Sequence, residues 1–154
     1  MPRIAVVSDA SVALKWFHEE GEQEVEGARA ILDLFVRRAI TLSVLDLTPY
    51  EIGNALLRGR AAASASQVSE VLDALATTCP TISPSTAELR GAVTLAEAHD
   101  LTLYDAIYAS VARERGAMLA TMDQALLQAG LGLMPSQVVG LAGAEGTDEV
   151  TEPA

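Results

Sequence analysis

Near its N-terminus the chain reads Ile4-Ala5-Val6-Val7-Ser8-Asp9, a short apolar run that ends on an acidic residue. A run such as residues 4–7 is typical of a strand that is buried on both faces of a parallel sheet. Residues 40–45 and 117–120 have the same character, residues 81–83 form a weaker run, and residues 137–140 are a candidate fifth. The sequence therefore predicts a central sheet of four to five strands.

Helical patterns lie between these runs. Apolar residues recur with the spacing i, i+3, i+4, i+7 over residues 68–75, 89–96 and 104–111. Short strands that alternate with helices are typical of a parallel sheet covered by helices on both faces. We therefore predict an α/β fold, a three-layer α/β/α sandwich, for residues 1–142. Residues 143–154 carry four acidic residues and no base, and we expect them to form a disordered tail.

The composition excludes several classes of protein. With 154 residues, half of them hydrophobic, the chain fits one domain with a substantial core. No apolar run approaches the roughly 18 to 20 residues of a membrane helix, and the start of the chain turns acidic too early for a signal peptide. A single cysteine, Cys79, excludes an internal disulfide and a Cys-based zinc site. We expect a cytoplasmic protein with no membrane partner.

The net charge is the first unusual property. Twenty-one acidic residues against ten basic ones give a charge of −11 at neutral pH, and nine of the bases are arginine. Such a charge argues against a protein that binds nucleic acid by bulk attraction. It is compatible with one that combines a local arginine patch with an acidic site filled by a metal.

Four acidic residues follow predicted strands or begin predicted helices. Asp9 ends the first run, and Thr48-Pro49-Tyr50-Glu51 follows the second, with Thr48 as the predicted N-cap. Thr102-Leu103-Tyr104-Asp105 repeats this pattern, and Thr121-Met122-Asp123 follows the fourth run with Thr121 as the predicted cap. For each acid alone a structural interpretation is strong, because a carboxylate in a first helical turn binds free N–H groups. Ser85-Thr86-Ala87-Glu88 has the same pattern and no other sign of function.

Together the four acids indicate more than capping. Segments that leave the carboxyl ends of parallel strands meet in one crevice, where ligands bind in open α/β sheets. Asp105 begins a helix whose small residues Ala109 and Ala112 favour close packing on the sheet. Four carboxylates in one crevice repel each other unless a cation is present, and oxygen ligands without Cys or His favour Mg²⁺ or Mn²⁺. We therefore predict a metal site that hydrolyses phosphodiester bonds through activated water.

A non-catalytic metal-binding interaction module is the alternative. The segment Asp9-Ala10-Ser11-Val12-Ala13 lacks only the last serine of the Asp-x-Ser-x-Ser pattern of metal-dependent adhesion sites. A response-regulator receiver is excluded because it needs a late lysine, and the only lysine is Lys15. His18 and His99 lie outside the acidic motifs, and we expect both side chains to be exposed and without a catalytic role.

Four segments resemble the motifs of a PIN domain of the VapC toxin kind. They are residues 7–16 (VSDASVALKW), 49–56 (PYEIGNAL), 103–109 (LYDAIYA) and 119–123 (LATMD). Their order and spacing fit the family, and the resemblance runs from about residue 3 to residue 139. It implies a Mg²⁺- or Mn²⁺-dependent endoribonuclease, the toxin of a type II toxin–antitoxin pair. Such toxins are usually homodimers and are inhibited by a VapB-like antitoxin.

The resemblance also assigns residues to the site. By position, Asp9, Glu51, Asp105 and Asp123 are the acidic quartet, with Asp9 and Asp105 as the firmest metal ligands. Ser11 and Thr121 match the hydroxyl residues beside the first and fourth acids, and are expected to hydrogen-bond the metal ligands.

The surfaces for RNA and antitoxin are harder to read. Lys15, Arg58 and Arg60 are the candidates for RNA contact, although the two arginines lie roughly 10 to 15 Å from Glu51 along a predicted helix, where basic residues also complement the helix dipole. Residues 19–26 hold five glutamates that could receive a basic antitoxin segment. Trp16 is expected to be a core or interface residue rather than a platform for base stacking.

Overall fold

The computed structural model describes residues 2–18, 23–59 and 62–147 of the chain, which form a sheet flanked by helices. The strands are β1 (Ile4–Ser8), β2 (Ile40–Leu45), β3 (Thr81–Ile82) and β4 (Met118–Ala120). They lie in the order β3-β2-β1-β4, and each pairing is parallel. The first strand in sequence is therefore central, and the last strand lies beside it.

Helices follow the strands in the order that the sequence predicts. They are α1 (Ala10–Ala13, continued by a 3₁₀ turn at Leu14–Trp16), α2 (Val25–Val36), α3 (Thr48–Arg58), α4 (Ala65–Thr78), α5 (Thr86–His99), α6 (Leu103–Glu114), α7 (Gln124–Gln128) and α8 (Pro135–Thr147). None of the helices in the described ranges has the length and apolar character needed to span a bilayer.

Neighbouring residues of β1 enter separate cores on the two faces of the sheet. Val6 belongs to a cluster that includes Ile31 of α2 and Ile52 of α3. Val7 belongs to a second cluster, which includes Tyr108 of α6 and Leu126 of α7. A parallel sheet that is buried on both faces in this way requires aliphatic strands. The predicted three-layer α/β/α sandwich is confirmed.

Helices α5 and α6 pack closely on each other. A Cβ added to Gly91 of α5 would lie only 2.7 Å from the hydroxyl oxygen of Ser110 on α6. That hydroxyl donates to the carbonyl of Glu88 at 2.6 Å, and Arg115 donates to the Glu88 carboxylate at 2.8 and 2.9 Å. Glu88 also closes a capping box with Ser85. Glu88, for which the sequence showed only a capping pattern, thus has a structural role.

The predicted fifth strand is wrong, because residues 137–140 lie within α8. A short apolar run does not by itself distinguish a strand from a buried helix, and Pro135 at the first helical position favours the helix. The chain returns to the sheet earlier, where Leu133 forms one parallel bridge with Ala120. Helix α8 continues to Thr147, so the start of the expected disordered tail is helical; residues 148–154 lie outside the described residues.

Two of the three predicted threonine N-caps are also wrong. Leu47 occupies the N-cap of α3, with Thr48 as the first helical residue, and Asp123 rather than Thr121 caps α7 by accepting from Leu126 N at 3.0 Å. Thr102 caps α6 as predicted, by accepting from Asp105 N at 3.1 Å. The hydroxyls of Thr48 and Thr121 are buried and bind side chains from distant parts of the chain.

Candidate metal centre

Asp9 is placed by the end of β1 and by the short helix that follows it. Its backbone N–H donates to the carbonyl of Ala120 at 3.1 Å, which continues the pairing of β1 with β4. Its Oδ1 accepts from the hydroxyl of Ser11 at 2.6 Å and from Val12 N at 3.2 Å, and its Oδ2 accepts from the hydroxyl of Thr121. The carboxylate is therefore held in one orientation by three neutral donors.

Burial raises the pKa of Asp9 from 3.8 to about 6. The hydrogen bonds from Ser11, Thr121 and Val12 oppose this shift, whereas the nearby charge of Asp123 adds to it. The side chain is only 5% exposed. An ionised carboxylate at this position is destabilised unless a positive charge accompanies it.

Ser11 and Thr121 connect Asp9 to the segment that carries Asp123. The hydroxyl oxygen of Ser11 accepts from Met122 N, and that of Thr121 accepts from Asp123 N, both at 2.9 Å. Each hydroxyl thus donates to Asp9 and accepts from the loop after β4. The hydrogen bonds that the sequence predicts for these two residues are present, and they fix the first acid relative to the fourth.

Glu51 lies in the first turns of α3, where a tyrosine from α6 holds it. The hydroxyl of Tyr108 donates to Glu51 Oε1 at 2.8 Å and pairs with the hydroxyl of Thr48 at 2.6 Å. Thr48 in turn accepts from Leu45 N at 3.2 Å, at the end of β2. This chain of hydrogen bonds connects the middle of α6 to the first turn of α3 and to the end of β2.

The pKa of Glu51 is raised from 4.5 to about 7. Burial is the main cause, the charges of Asp9 and Asp105 add to it, and the hydrogen bond from Tyr108 opposes it. Burial also raises the pKa of Asp105, and the charge of Asp123 raises it further. Burial beside Glu51 in turn raises the pKa of the Tyr108 hydroxyl well above its usual range, so that it stays a donor.

The four acids influence one another through their charges. The charge of Asp123 raises the pKa of Asp9 and that of Asp105, and the charges of Asp9 and Asp105 raise the pKa of Glu51. Within the described residues, no basic side chain offsets the charge of Asp9, Glu51 or Asp105. The structure thus brings together at one edge of the sheet the four acids that the sequence singled out.

This donor set suits a hard divalent cation. It consists of carboxylate oxygens, and the mutual repulsion of these groups is relieved by a positive charge. Within residues 2–18, 23–59 and 62–147, no three acidic, histidine or cysteine side chains converge closely enough to ligate one ion. Asp105 has no hydrogen bond to its carboxylate in these ranges, and the carboxylate of Glu51 accepts one, from Tyr108.

Of the three predicted RNA-contact residues, the structure describes Arg58 and Lys15. Arg58 is exposed in the last turn of α3, seven residues after Glu51 and therefore about 10 Å along the helix axis. Lys15 is buried in the 3₁₀ turn, and Arg60 lies outside the described residues. The indole N–H of Trp16 donates to the carbonyl of Ala28 at 2.9 Å, which confirms it as a core residue.

Part of the predicted antitoxin surface is engaged within the chain. The carboxylate of Glu24 accepts from the backbone N–H of Ser136 at 3.0 Å and from its hydroxyl at 2.7 Å, which connects α2 to α8. Residues 19–22 of the acidic segment lie outside the described residues.

Tyr108 and Thr48 are the site residues that sequence reasoning missed. Tyr108 belongs to the apolar stripe of α6, where an aromatic residue indicates a core position, and it is indeed only 1% exposed. The available signal was its hydroxyl, because a buried tyrosine hydroxyl needs a hydrogen-bond partner.

The sequence profile of the PIN domain matches residues 6–130, which is most of the chain. The chain belongs to the PIN domain family. This confirms the family that the four motifs resemble. The match includes all four acids of this PIN domain, from Asp9 to Asp123.

Solved structures share the fold of this PIN domain. PAE2754 from Pyrobaculum aerophilum is 24% identical, with 92% of this chain and 96% of that chain covered and a TM-score of 0.67. VapC20 from Mycobacterium tuberculosis, described as a sarcin-ricin loop cleaving toxin, is 16% identical, with 81% and 95% covered and a TM-score of 0.62. A toxin–antitoxin complex from Klebsiella pneumoniae contains a chain that is 18% identical, with 84% and 97% covered and a TM-score of 0.60. No curated protein matches the chain.

Proposed function

We propose that this PIN domain is a divalent-metal-dependent endoribonuclease and the toxin of a type II toxin–antitoxin pair. One observation carries the nuclease assignment: at the carboxyl edge of the sheet the charges of the acids raise the pKa values of Asp9, Glu51 and Asp105, and no ion pair between described residues involves these three carboxylates. Burying such charges is costly, and a structural role alone does not require it. Membership of the PIN family supports nuclease chemistry at this place.

Mg²⁺ or Mn²⁺ is the proposed cofactor. Asp9 and Asp105 are the firmest candidate ligands, and Glu51 and Asp123 complete the site or hold a second ion or its waters. When bound, the cation activates water and offsets the charge that develops on the phosphate oxygens.

The protein side chains have separate tasks in this proposal. Ser11 and Thr121 hold Asp9 in place, so that its carboxylate does not need to be ordered when the substrate arrives. Tyr108 positions Glu51 through its hydroxyl. With a pKa of about 7, Glu51 retains a proton in a large share of the metal-free molecules at neutral pH, and it would have to lose that proton before it could hold a cation.

The toxin role rests on the structural neighbours. They include VapC20, described as a sarcin-ricin loop cleaving toxin, and a VapBC2 assembly from Rickettsia felis bound to a promoter DNA fragment. By analogy we propose RNA as the substrate, a VapB-like antitoxin as the inhibitor, and a homodimer as the active form. The charge of −11 favours a basic inhibitor segment over free RNA as the ligand of the carboxylate site.

The decisive test is RNA cleavage by purified protein and by Asp9→Asn. A pool of single-stranded and structured RNA is incubated with Mg²⁺, Mn²⁺ or EDTA, after mass spectrometry has shown that no partner co-purified. We expect metal-dependent cleavage by the wild type and a loss of at least about 100-fold in Asp9→Asn, since a ligand to the cation is removed.

Asp73→Asn is the matched control, because it removes an exposed acid of α4 far from the site, and it should cleave like the wild type. Asparagine keeps an acceptor for Val12 N, so circular dichroism of Asp9→Asn should match that of the wild type. Cation-dependent thermal stabilisation of the wild type without cleavage would contradict the nuclease and favour the metal-binding interaction module.

A further inference from the structure

Two tyrosines are exposed beside the acids. Tyr50 is 80% exposed and Tyr104 is 69% exposed, and neither hydroxyl has a hydrogen-bond partner within the described residues. The other four aromatic residues are buried or partly buried in the two cores: Trp16, Phe17, Phe35 and Tyr108. Both exposed aromatic rings of this chain therefore stand one residue before an acid of the site.

The hydrogen bonds of Tyr108 bring the two exposed rings to the same part of the molecule. Tyr50 precedes Glu51 in α3, and Glu51 accepts the hydroxyl of Tyr108. Tyr104 lies four residues before Tyr108 in α6, on the same helix face and one turn nearer to the helix start. The charge of Asp105 acts on Glu51, so the first turns of α3 and α6, which carry Tyr50 and Tyr104, lie near each other at the acidic crevice.

The charge of the protein decides what such rings can bind. A chain with a charge of −11 gains little from bulk attraction to phosphates, and the candidate arginine of α3 lies at the far end of that helix. Stacking of bases on aromatic rings does not depend on opposite charges, tolerates any sequence, and requires exposed ring faces.

We propose that Tyr50 and Tyr104 form a stacking platform for unpaired bases of the RNA next to the bond that is cleaved. The proposal rests on the proposed nuclease function and adds to it a preference for single-stranded segments. The platform supplies ground-state binding to an enzyme whose acidic site does not attract RNA by itself. Base identity is read weakly at these positions, because every base has a ring face to stack.

The test compares Tyr50→Ala and Tyr104→Ala with the matching phenylalanine variants, which keep the ring. Val36→Ala is the control, because it removes an exposed apolar side chain at the end of α2, away from the acids. The probes are single-stranded oligoadenylate and oligouridylate of equal length, in Mg²⁺. If the wild type cleaves them, KM and kcat are measured; if it does not, the same proteins are titrated with the labelled oligonucleotides.

We expect each alanine variant to raise KM, or the dissociation constant, by about 5- to 100-fold with kcat changed less than twofold. The loss should be larger on oligoadenylate, whose bases stack more strongly, and the phenylalanine variants and Val36→Ala should stay within about twofold of the wild type. Unchanged KM in both alanine variants would overturn the platform while leaving the nuclease intact. Binding without cleavage, weakened in the alanine variants, would retain the platform and overturn the nuclease.

Two further outcomes would also contradict the platform. An equal loss in the phenylalanine variants would assign the effect to the hydroxyl groups rather than to stacking. A lower molecular mass of the alanine variants in light scattering, together with the raised KM, would assign the rings to a contact between two copies of the chain.

Discussion

Asp9 and Glu88 are both buried carboxylates, but their pKa values move in opposite directions. Arg115 binds Glu88 with two nitrogens, and this hydrogen bonding lowers the pKa of Glu88 to about 2. Asp9 accepts three hydrogen bonds from neutral groups, and burial still raises its pKa to about 6. At the level of single residues, an acid that an arginine neutralises is therefore distinguished from one that accepts hydrogen bonds from neutral groups alone.

Tyr108→Phe tests how Glu51 is positioned. The hydroxyl of Tyr108 lowers the pKa of Glu51, so its removal should raise that pKa further above 7. If ionised Glu51 is needed, the acid limb of the pH–rate profile for RNA cleavage should move to higher pH, with a several-fold loss of rate at pH 7. The protein should stay folded, since Tyr108→Phe keeps the buried ring. A profile that drops in height without moving along the pH axis would contradict this role.

Tyr108 also shows where reasoning from the sequence stops. The four acids can be found from the sequence because charged residues that follow apolar runs stand out. The cap at Thr102 can be predicted because it depends on residues only three positions apart. The partners of Tyr108 lie 57 and 60 residues away in sequence, and only the folded chain brings its hydroxyl to them. A hydroxyl with a distant partner looks like a cap or a core residue in the sequence, as Thr48 did.

The helix that carries Asp105 is fastened to α5 through one residue, Glu88. Ser110 binds the Glu88 carbonyl where Gly91 leaves room, and Arg115 binds the Glu88 carboxylate just after α6 ends. This close contact between two helices supports the site from the side of α6. Its acid, Glu88, showed only a capping pattern in the sequence.

Arg115→Ala should destabilise the fold by about 2 kcal/mol at pH 7, because it leaves the nearly buried Glu88 without its positive partner. The pKa of Glu88 is depressed, so this contribution is present above pH 4.5 and is lost as the pH falls towards 2. Urea denaturation at pH 7 and pH 3 measures both values. Arg113→Ala, which removes an exposed arginine of the same helix turn, should change stability by less than about 0.5 kcal/mol. Equal stability of Arg115→Ala and the wild type at pH 7 would show that the ion pair of Arg115 with Glu88 does not stabilise the fold.

Apolar runs in the sequence did not all become strands. Residues 4–7 are apolar throughout, residues 40–45 are mainly aliphatic, and they became β1 and β2 of a sheet covered on both faces. Residues 137–140 contain only two aliphatic residues, Val138 and Val139, and became part of α8, which begins at Pro135. Only Leu133 bridges to β4 beyond the strand, and this single contact left no pattern in the sequence.

The molecule as a whole is acidic, and burial disfavours the ionised forms of Asp9 and Glu51 in one crevice. In the metal-free protein, folding raises the pKa of Asp9 from 3.8 to about 6 and that of Glu51 from 4.5 to about 7. The folded state then binds more protons than the unfolded state between about pH 4 and pH 7. The free energy of unfolding must therefore fall as the pH rises through this window.

We expect the metal-free wild type to lose about 2 kcal/mol from Asp9 alone between pH 4.5 and pH 7.5, with a smaller loss from the half-buried Glu51. Urea denaturation in EDTA across this range measures the slope. Asp9→Asn should flatten it and should be more stable than the wild type at pH 7.5. Millimolar Mg²⁺ or Mn²⁺ should restore the stability of the wild type at pH 7.5 and leave that of Asp9→Asn unchanged. Stability that rises with pH in EDTA would show that these carboxylates are not strained by burial.

The pairing of the last strand with the first has a consequence for synthesis of the chain. Asp9 leaves the ribosome more than 110 residues before its partner Thr121 and the fourth acid, Asp123. Contacts over such a distance in sequence form late in folding. A growing chain that has not yet reached β4 therefore has neither the hydrogen bond that holds Asp9 nor a complete set of acids. The translation machinery that makes this protein would thus be exposed to an active RNA-cleaving site only after nearly the whole domain has been made.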